Sequence, residues 1–264
     1  MKMEKSLVFV PLLLFLTPIT SRAQSSIDGT WKFDLSKTKM PEKPDVYLLQ
    51  DGMYHCKTCV PPIDVKADGQ DQKVSGHPYY DTVAVRVVDD HIIEVTDKKD
   101  GKTVTTSKTV VSGDGKTATV EFSDRTASTE PVTGKGEKVR VEKGPSGAHA
   151  VSGSWRYTKT ENLSDNGMDF TFKVDGDTLN MTAPTGQSYT AKLDGSDAPY
   201  KGDPATTSVS VKRIGKNVFE ETDKRNGKVI GVARMTVSPD GKTMTMDITD
   251  KEHGTTMQFT ADKQ

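Results

Sequence analysis

The chain says the same thing twice, and this constrains its fold more than any other property. Gly29-Thr30-Trp31-Lys32 returns as Gly153-Ser154-Trp155-Arg156. Four two-residue turn signals follow each copy: Asp51-Gly52, Asp68-Gly69, Asp100-Gly101 and Asp114-Gly115, then Asp175-Gly176, Asp194-Gly195, Asn226-Gly227 and Asp240-Gly241. Their spacings are 17, 32 and 14 residues in the first copy and 19, 32 and 14 in the second. A period of 124–126 residues is too long for a solenoid or propeller blade and fits a whole small domain. The repeat predicts a first domain over 24–143, a linker over 144–151 (Gly144–Val151) and a second domain over 152–264.

Within each copy, apolar and polar residues alternate. Val83, Val85 and Val87 fall on one face, with Ala84, Arg86 and Val88 on the other. Val209 and Val211 repeat that row against Ser208, Ser210 and Lys212. Ala118, Val120 and Phe122 alternate with threonine and glutamate, as Met244, Met246 and Ile248 do in the second copy. A period of two marks half-buried antiparallel strands. Asp-Gly and Asn-Gly supply the positive φ of tight hairpins. No helical period persists over three turns. Eight or nine strands per copy, joined by short hairpins, predict an all-β chain of two tandem up-and-down barrels, since closure removes exposed edges. The long polar excursions after each Trp strand, 35–45 and 160–168, have no strand pattern.

The Gly-x-Trp openings at Gly29 and Gly153, each heading a meander, resemble the first strand of lipocalins and related calycin barrels. The chain is also similar to uncharacterised exported bacterial proteins built of such repeats, a likeness that assigns no biochemical role. The lipocalin resemblance implies that Trp31 and Trp155 pack across the closed end of each barrel. It implies that 35–45 and 160–168 lie over the open mouths. It also implies a late arginine stacked on the Trp, for which Arg140 is the candidate, with no counterpart in the second copy.

Residues 1–23 read as an export leader. Lys2 and Lys5 precede the apolar run Leu7–Leu16, and Ser21-Arg22-Ala23 precedes a cut before Gln24. Ten apolar residues are too few to span a bilayer. With no cysteine at the cut, a lipid anchor there is excluded, which points to the periplasm or the medium. Without the leader the formal charge moves from −1 to −3. Mixed charge of that sign offers no basic field for nucleic acid. Only 33% of residues are hydrophobic, which suits thin barrels with one buried face per strand.

Cys56-Lys57-Thr58-Cys59 is the only cysteine pair. It lies at a strand end with no following helix to lower a thiol pKa, so a local disulfide is expected, with thiol exchange and metal binding as rivals. His55, Cys56, Cys59 and His77 match no compact zinc spacing, so no metal is expected. Gly76-His77-Pro78-Tyr79-Tyr80-Asp81 is the densest polar-aromatic cluster, and Tyr79 and Tyr80 are candidate rim residues. The second copy keeps only the turn there. Six of the ten methionines lie in the second copy and read mainly as core filler.

These residues predict a monomeric, cofactor-free carrier of a small apolar or lipid-like ligand. Val83, Val85, Val120, Phe122, Val209, Val211, Met244 and Met246 would line the barrels, and no catalytic residue is assigned. The alternative is a non-catalytic structural or interaction module with filled barrels. An enzyme using Cys56, Cys59 or His77 is the third reading.

Overall fold

The computed structural model describes residues 25–264; the leader reading of 1–23 lies outside them. In chain order the strands are β1 Gly29–Phe33, β2 Asp45–Gln50, β3 Met53–Cys56, β4 Ile63–Lys66, β5 Gln72–Lys73, β6 Thr82–Asp89, β7 Ile92–Lys99, β8 Lys102–Val111, β9 Thr117–Asp124 and β10 Val132–Lys143. They continue as β11 Gly153–Glu161, β12 Asp169–Asp175, β13 Thr178–Thr182, β14 Ser188–Lys192, β15 Asp194–Lys201, β16 Ser208–Arg213, β17 Val218–Arg225, β18 Lys228–Val237, β19 Thr243–Asp250 and β20 Thr255–Lys263. All pairings are antiparallel, and the strands form two ten-stranded, barrel-like sheets. The fold is all-β. Each sheet holds one or two strands more than alternation predicts: β5 and β15 fall in turn-rich stretches without a period of two.

The sheets cross the repeat boundary. Strand β1 closes the second barrel, pairing with β12 and β20, so that Trp31 stands opposite Phe170 and Lys263. Strand β11 joins the first sheet, between β2 and β10, with Trp155 opposite Asp45 and Arg140. The two Trp strands are thus exchanged relative to the expected 24–143 and 152–264 division. The first sheet is the continuous stretch 45–161, inserted between β1 and the rest of the second barrel. Residues 144–151 therefore connect β10 to β11 within one sheet rather than linking two. There is a physical reason for the exchange. A short connection lets β11 fold back on β10 as a local hairpin, which costs less loop entropy than returning a Trp strand from β1.

The expected mouth loops have a different role. Residues 34–44 and 162–168 carry the chain between the sheets. Lys39 bridges to Gln258 of β20, and the Ser164 amide donates to Thr133 O (2.8 Å). Neither is a free flap.

The second sheet is a closed barrel, because β15 pairs with both β14 and β16. The first leaves β4 and β5 unpaired with each other, so it is a split barrel. Its seam is crossed where the Gly69 amide donates to Val85 O (2.8 Å) and Asp68 bridges to Arg86.

Each barrel is stopped at one end by its tryptophan. Trp31 Nε1 donates to Ile27 O (2.8 Å), and Trp155 Nε1 donates to Val151 O (2.7 Å). Arg140 stacks on a tryptophan, but on Trp155 of the other repeat (4.0 Å from the ring centre) rather than on Trp31, because the two Trp strands are exchanged. It has a counterpart after all: Lys263 lies 5.0 Å from the centre of Trp31.

Val83 and Val85 are buried as expected, but Val87 is exposed where the β6–β7 register shifts. Among the described residues no helix is long and apolar enough to cross a membrane.

Candidate functional site

Register aligns the two interiors position by position. In the closed barrel, Met235 faces Met246, and Met244 faces Val237 and Ala261. The matching positions of the split barrel are Thr109 facing Val120, and Ala118 facing Val111 and Lys138. Phe259 and Met257 are replaced by Gly136 and Gly134. A Cβ at either glycine would meet the ring of Tyr157 or Phe122 at under 3 Å, so the rings lie directly on the bare backbone. Phe170 and Phe172 become Asp45 and Tyr47, and Phe33 becomes Tyr157. Small and polar residues stand where methionine and phenylalanine fill the closed barrel.

The consequence is a cavity of about 270 Å³ inside the split barrel. Val83, Ile93, Val95, Ala118, Val120, Phe122 and Trp155 form its apolar wall, and Tyr47, Tyr54, Tyr80, Tyr157, Ser107, Thr109, Asp97 and Lys138 its polar groups. Lys138, 4% exposed, is held toward the Trp end. Its ammonium donates to Asp45 (2.7 Å) and to the Tyr47 hydroxyl (3.1 Å), and it lies 4.1 Å from the centre of the Tyr157 ring. Tyr54, 7% exposed, makes no hydroxyl hydrogen bond to any described residue. Burial holds its hydroxyl well above the usual tyrosine range. At the other end Asp97 accepts from the Thr105 hydroxyl (2.8 Å). Burial, with the nearby Asp124 charge adding to it, raises its carboxyl to about 6.

A second hollow, about 380 Å³, separates the two barrels. Val60, His77, Tyr79 and Tyr80 of the split barrel face Ala205, Asp223, Arg225, Asp250 and Glu252 of the closed one. The Tyr79 hydroxyl donates to Asp203 across the gap (3.1 Å), and His77 stacks on Tyr80 with centres 4.6 Å apart. Cys59 and Tyr80 line both hollows and form the wall between them. Cys56 and Cys59 are joined as a disulfide, Cα atoms 5.4 Å apart.

The candidate lining residues divide accordingly. Val83, Val120, Phe122 and Tyr80 line the split-barrel cavity, Val85 packs in the core of the same sheet, and Tyr79 belongs to the cleft. Val209, Val211 and Met244 are fully buried in the closed barrel, with Met246 packed against them. Tyr47, Tyr54, Tyr157, Lys138 and Asp97 were not singled out from the sequence. Asp97 could have been, since it continues the inward row of Ile93 and Val95. Among the described residues no group of three His, Cys, Asp or Glu is placed to hold a metal ion. Comparison of the chain with family models, curated proteins and solved structures gave no match.

Proposed function

We propose that the protein is an exported, lipocalin-like carrier with one binding barrel and one packed barrel. The split barrel takes a compact amphipathic ligand, and the closed barrel is the solid partner that frames its mouth. Carrier and filled module, rivals in the sequence, then describe different halves of one chain. The observation behind this reading is the replacement of Met235, Met244, Met246 and Phe259 by Thr109, Ala118, Val120 and Gly136, which coincides with the 270 Å³ cavity.

Ring and hydroxyl linings favour a small aromatic or alicyclic molecule with polar substituents over a long acyl chain, because such pockets orient ligands through a few placed polar groups. Access runs from the cleft past Tyr80 and Cys59. Native mass spectrometry of the protein from its own host, and after exposure to small amphipathic compounds, tests this. Wild type should carry one ligand per chain, and Ala118→Met, which copies the closed barrel, should carry none while melting normally. Equal loading of both proteins would refute the split-barrel site.

A further inference from the structure

The cavity contains two charged side chains, and their situations differ. Lys138 is neutralised by Asp45 at 2.7 Å. Asp97 makes no salt bridge among the described residues, and the Thr105 hydroxyl is its one hydrogen-bonding partner there. A carboxylate that lines an aromatic cavity without a countercharge is a group whose partner comes from elsewhere.

Its surroundings suit a cation. Tyr54 and Tyr80 both feel the Asp97 charge, which adds to burial in raising their hydroxyls. Their π-faces and the nearby Phe122 ring offer the electrostatics that attract an ammonium group once water is displaced. From β9, Asp124 adds a like charge rather than an opposing one. Behind Tyr80, burial lowers the His77 pKa and so disfavours its charged form. On β6 the opposite residue is Val83.

We propose that the ligand of the split barrel is a small organic monoamine, its ammonium group paired with Asp97 and its apolar body lying among Val95, Val120 and Phe122. This rests on the cavity being the binding site. The Tyr54 hydroxyl serves as a further polar contact for the same molecule. Position 97 lies at the end nearest Tyr80, so the charged group is the last part of the ligand to leave the cleft on entry.

Calorimetric titration of the full chain with 2-phenylethylamine and with its uncharged near-isostere 2-phenylethanol tests the assignment. At pH 7.5 the amine should bind at least about tenfold more tightly, a range typical of one desolvated charge-assisted contact. Binding of the amine needs ionised Asp97, so its advantage should shrink as the pH falls below about 6. In Asp97→Asn, which keeps the size of the side chain, amine and alcohol should bind alike. Alcohol binding as tight as amine binding in wild type, abolished by Ala118→Met, would overturn the amine class and leave the cavity standing. An amine preference surviving Asp97→Asn would overturn the role of Asp97. Failure of both probes and of all small amphipathic compounds would remove the cavity reading itself.

Discussion

The two barrels share a pattern of strands, turns and tryptophans, yet one encloses a cavity of about 270 Å³ while the other carries large, fully buried side chains at the matching positions. In the closed barrel Trp31, Phe219, Leu179, Met235 and Met244 are essentially inaccessible and form one cluster with Phe170 and Phe172. In the split barrel the cluster around Trp155, Val85 and Leu49 surrounds a cavity rather than filling the interior. The lesson concerns where a duplicated fold is free to change. Alternation and turns must be kept in both copies, because they determine which residues face inward. The volume of inward residues can diverge without altering that pattern. Flexible methionine fills an irregular interior well, and its replacement by Ala, Thr and Val empties the same space.

The mouths diverge in a second way. Asp97 and Asp223 occupy equivalent positions, opposite Val83 and Val209. The Thr105 hydroxyl donates one hydrogen bond to the first, whereas Gly231 stands at the matching position of the second. Glu221 replaces Val95, and Tyr189 donates its hydroxyl to it. The closed barrel therefore buries a pair of carboxyls where the split barrel keeps one.

Matched substitutions break or sharpen this contrast. The largest effect is expected at Met244. Met244→Ala removes a side chain that is wholly buried and should cost about 2–5 kcal/mol in urea unfolding. Ala118→Met at the equivalent site should leave the unfolding midpoint unchanged or raise it. Equal losses from both would mean that the split barrel is as full as the other.

Next comes Glu221. Desolvation, reinforced by the Asp223 charge, raises its carboxyl to about 8. The native state then holds a proton that the unfolded chain has released, so this group's contribution falls as the pH rises from about 4.5 toward 8. Glu221→Gln should flatten that fall and stabilise the protein by ~2 kcal/mol at pH 8, with little change at pH 4. A variant that melts like wild type at both values would show the carboxyl to be solvated.

Smaller still is the contrast at the tryptophans. Arg140 donates to Ser152 O and Ala150 O, both at 2.6 Å, and to Gly115 O. Arg140→Leu strands these carbonyls and should cost ~1–2 kcal/mol. Lys263 makes one long contact, to Ser26 O at 3.3 Å, so Lys263→Leu should cost less than ~1 kcal/mol. A larger loss at Lys263 would reverse the ranking of the two closed ends.

Much of this architecture is legible in the sequence, because period-two facing and Asp-Gly turns are local. Val83, Val120, Val209 and Met244 all face inward as their parity demands. The exchange of β1 and β11 is not legible. Two nearly identical Gly-x-Trp strands fit either barrel, and only the tertiary partners Asp45, Arg140, Phe170 and Lys263 distinguish them. For the same reason Lys263 escapes notice as the partner of Trp31: it follows the copy containing Trp155, though it packs in the barrel closed by β1. The methionine content of the second copy hints at a filled interior. The hollowness of the first becomes evident only once register sets Ala118 against Met244. Lys138 and Asp97 were missed because charged residues at inward positions look like noise in an alternating strand until their partners are known.

The filled-against-hollow contrast is tested most directly by methyl-resolved NMR of the full chain, labelled at Ala, Val and Met, titrated with 2-phenylethanol. The methyls of Val83, Ala118 and Val120 should shift together and saturate, while those of Met235, Met244 and Met246 stay fixed. Shifts centred on the methionines, or a spectrum indifferent to every small amphipathic compound, would contradict it.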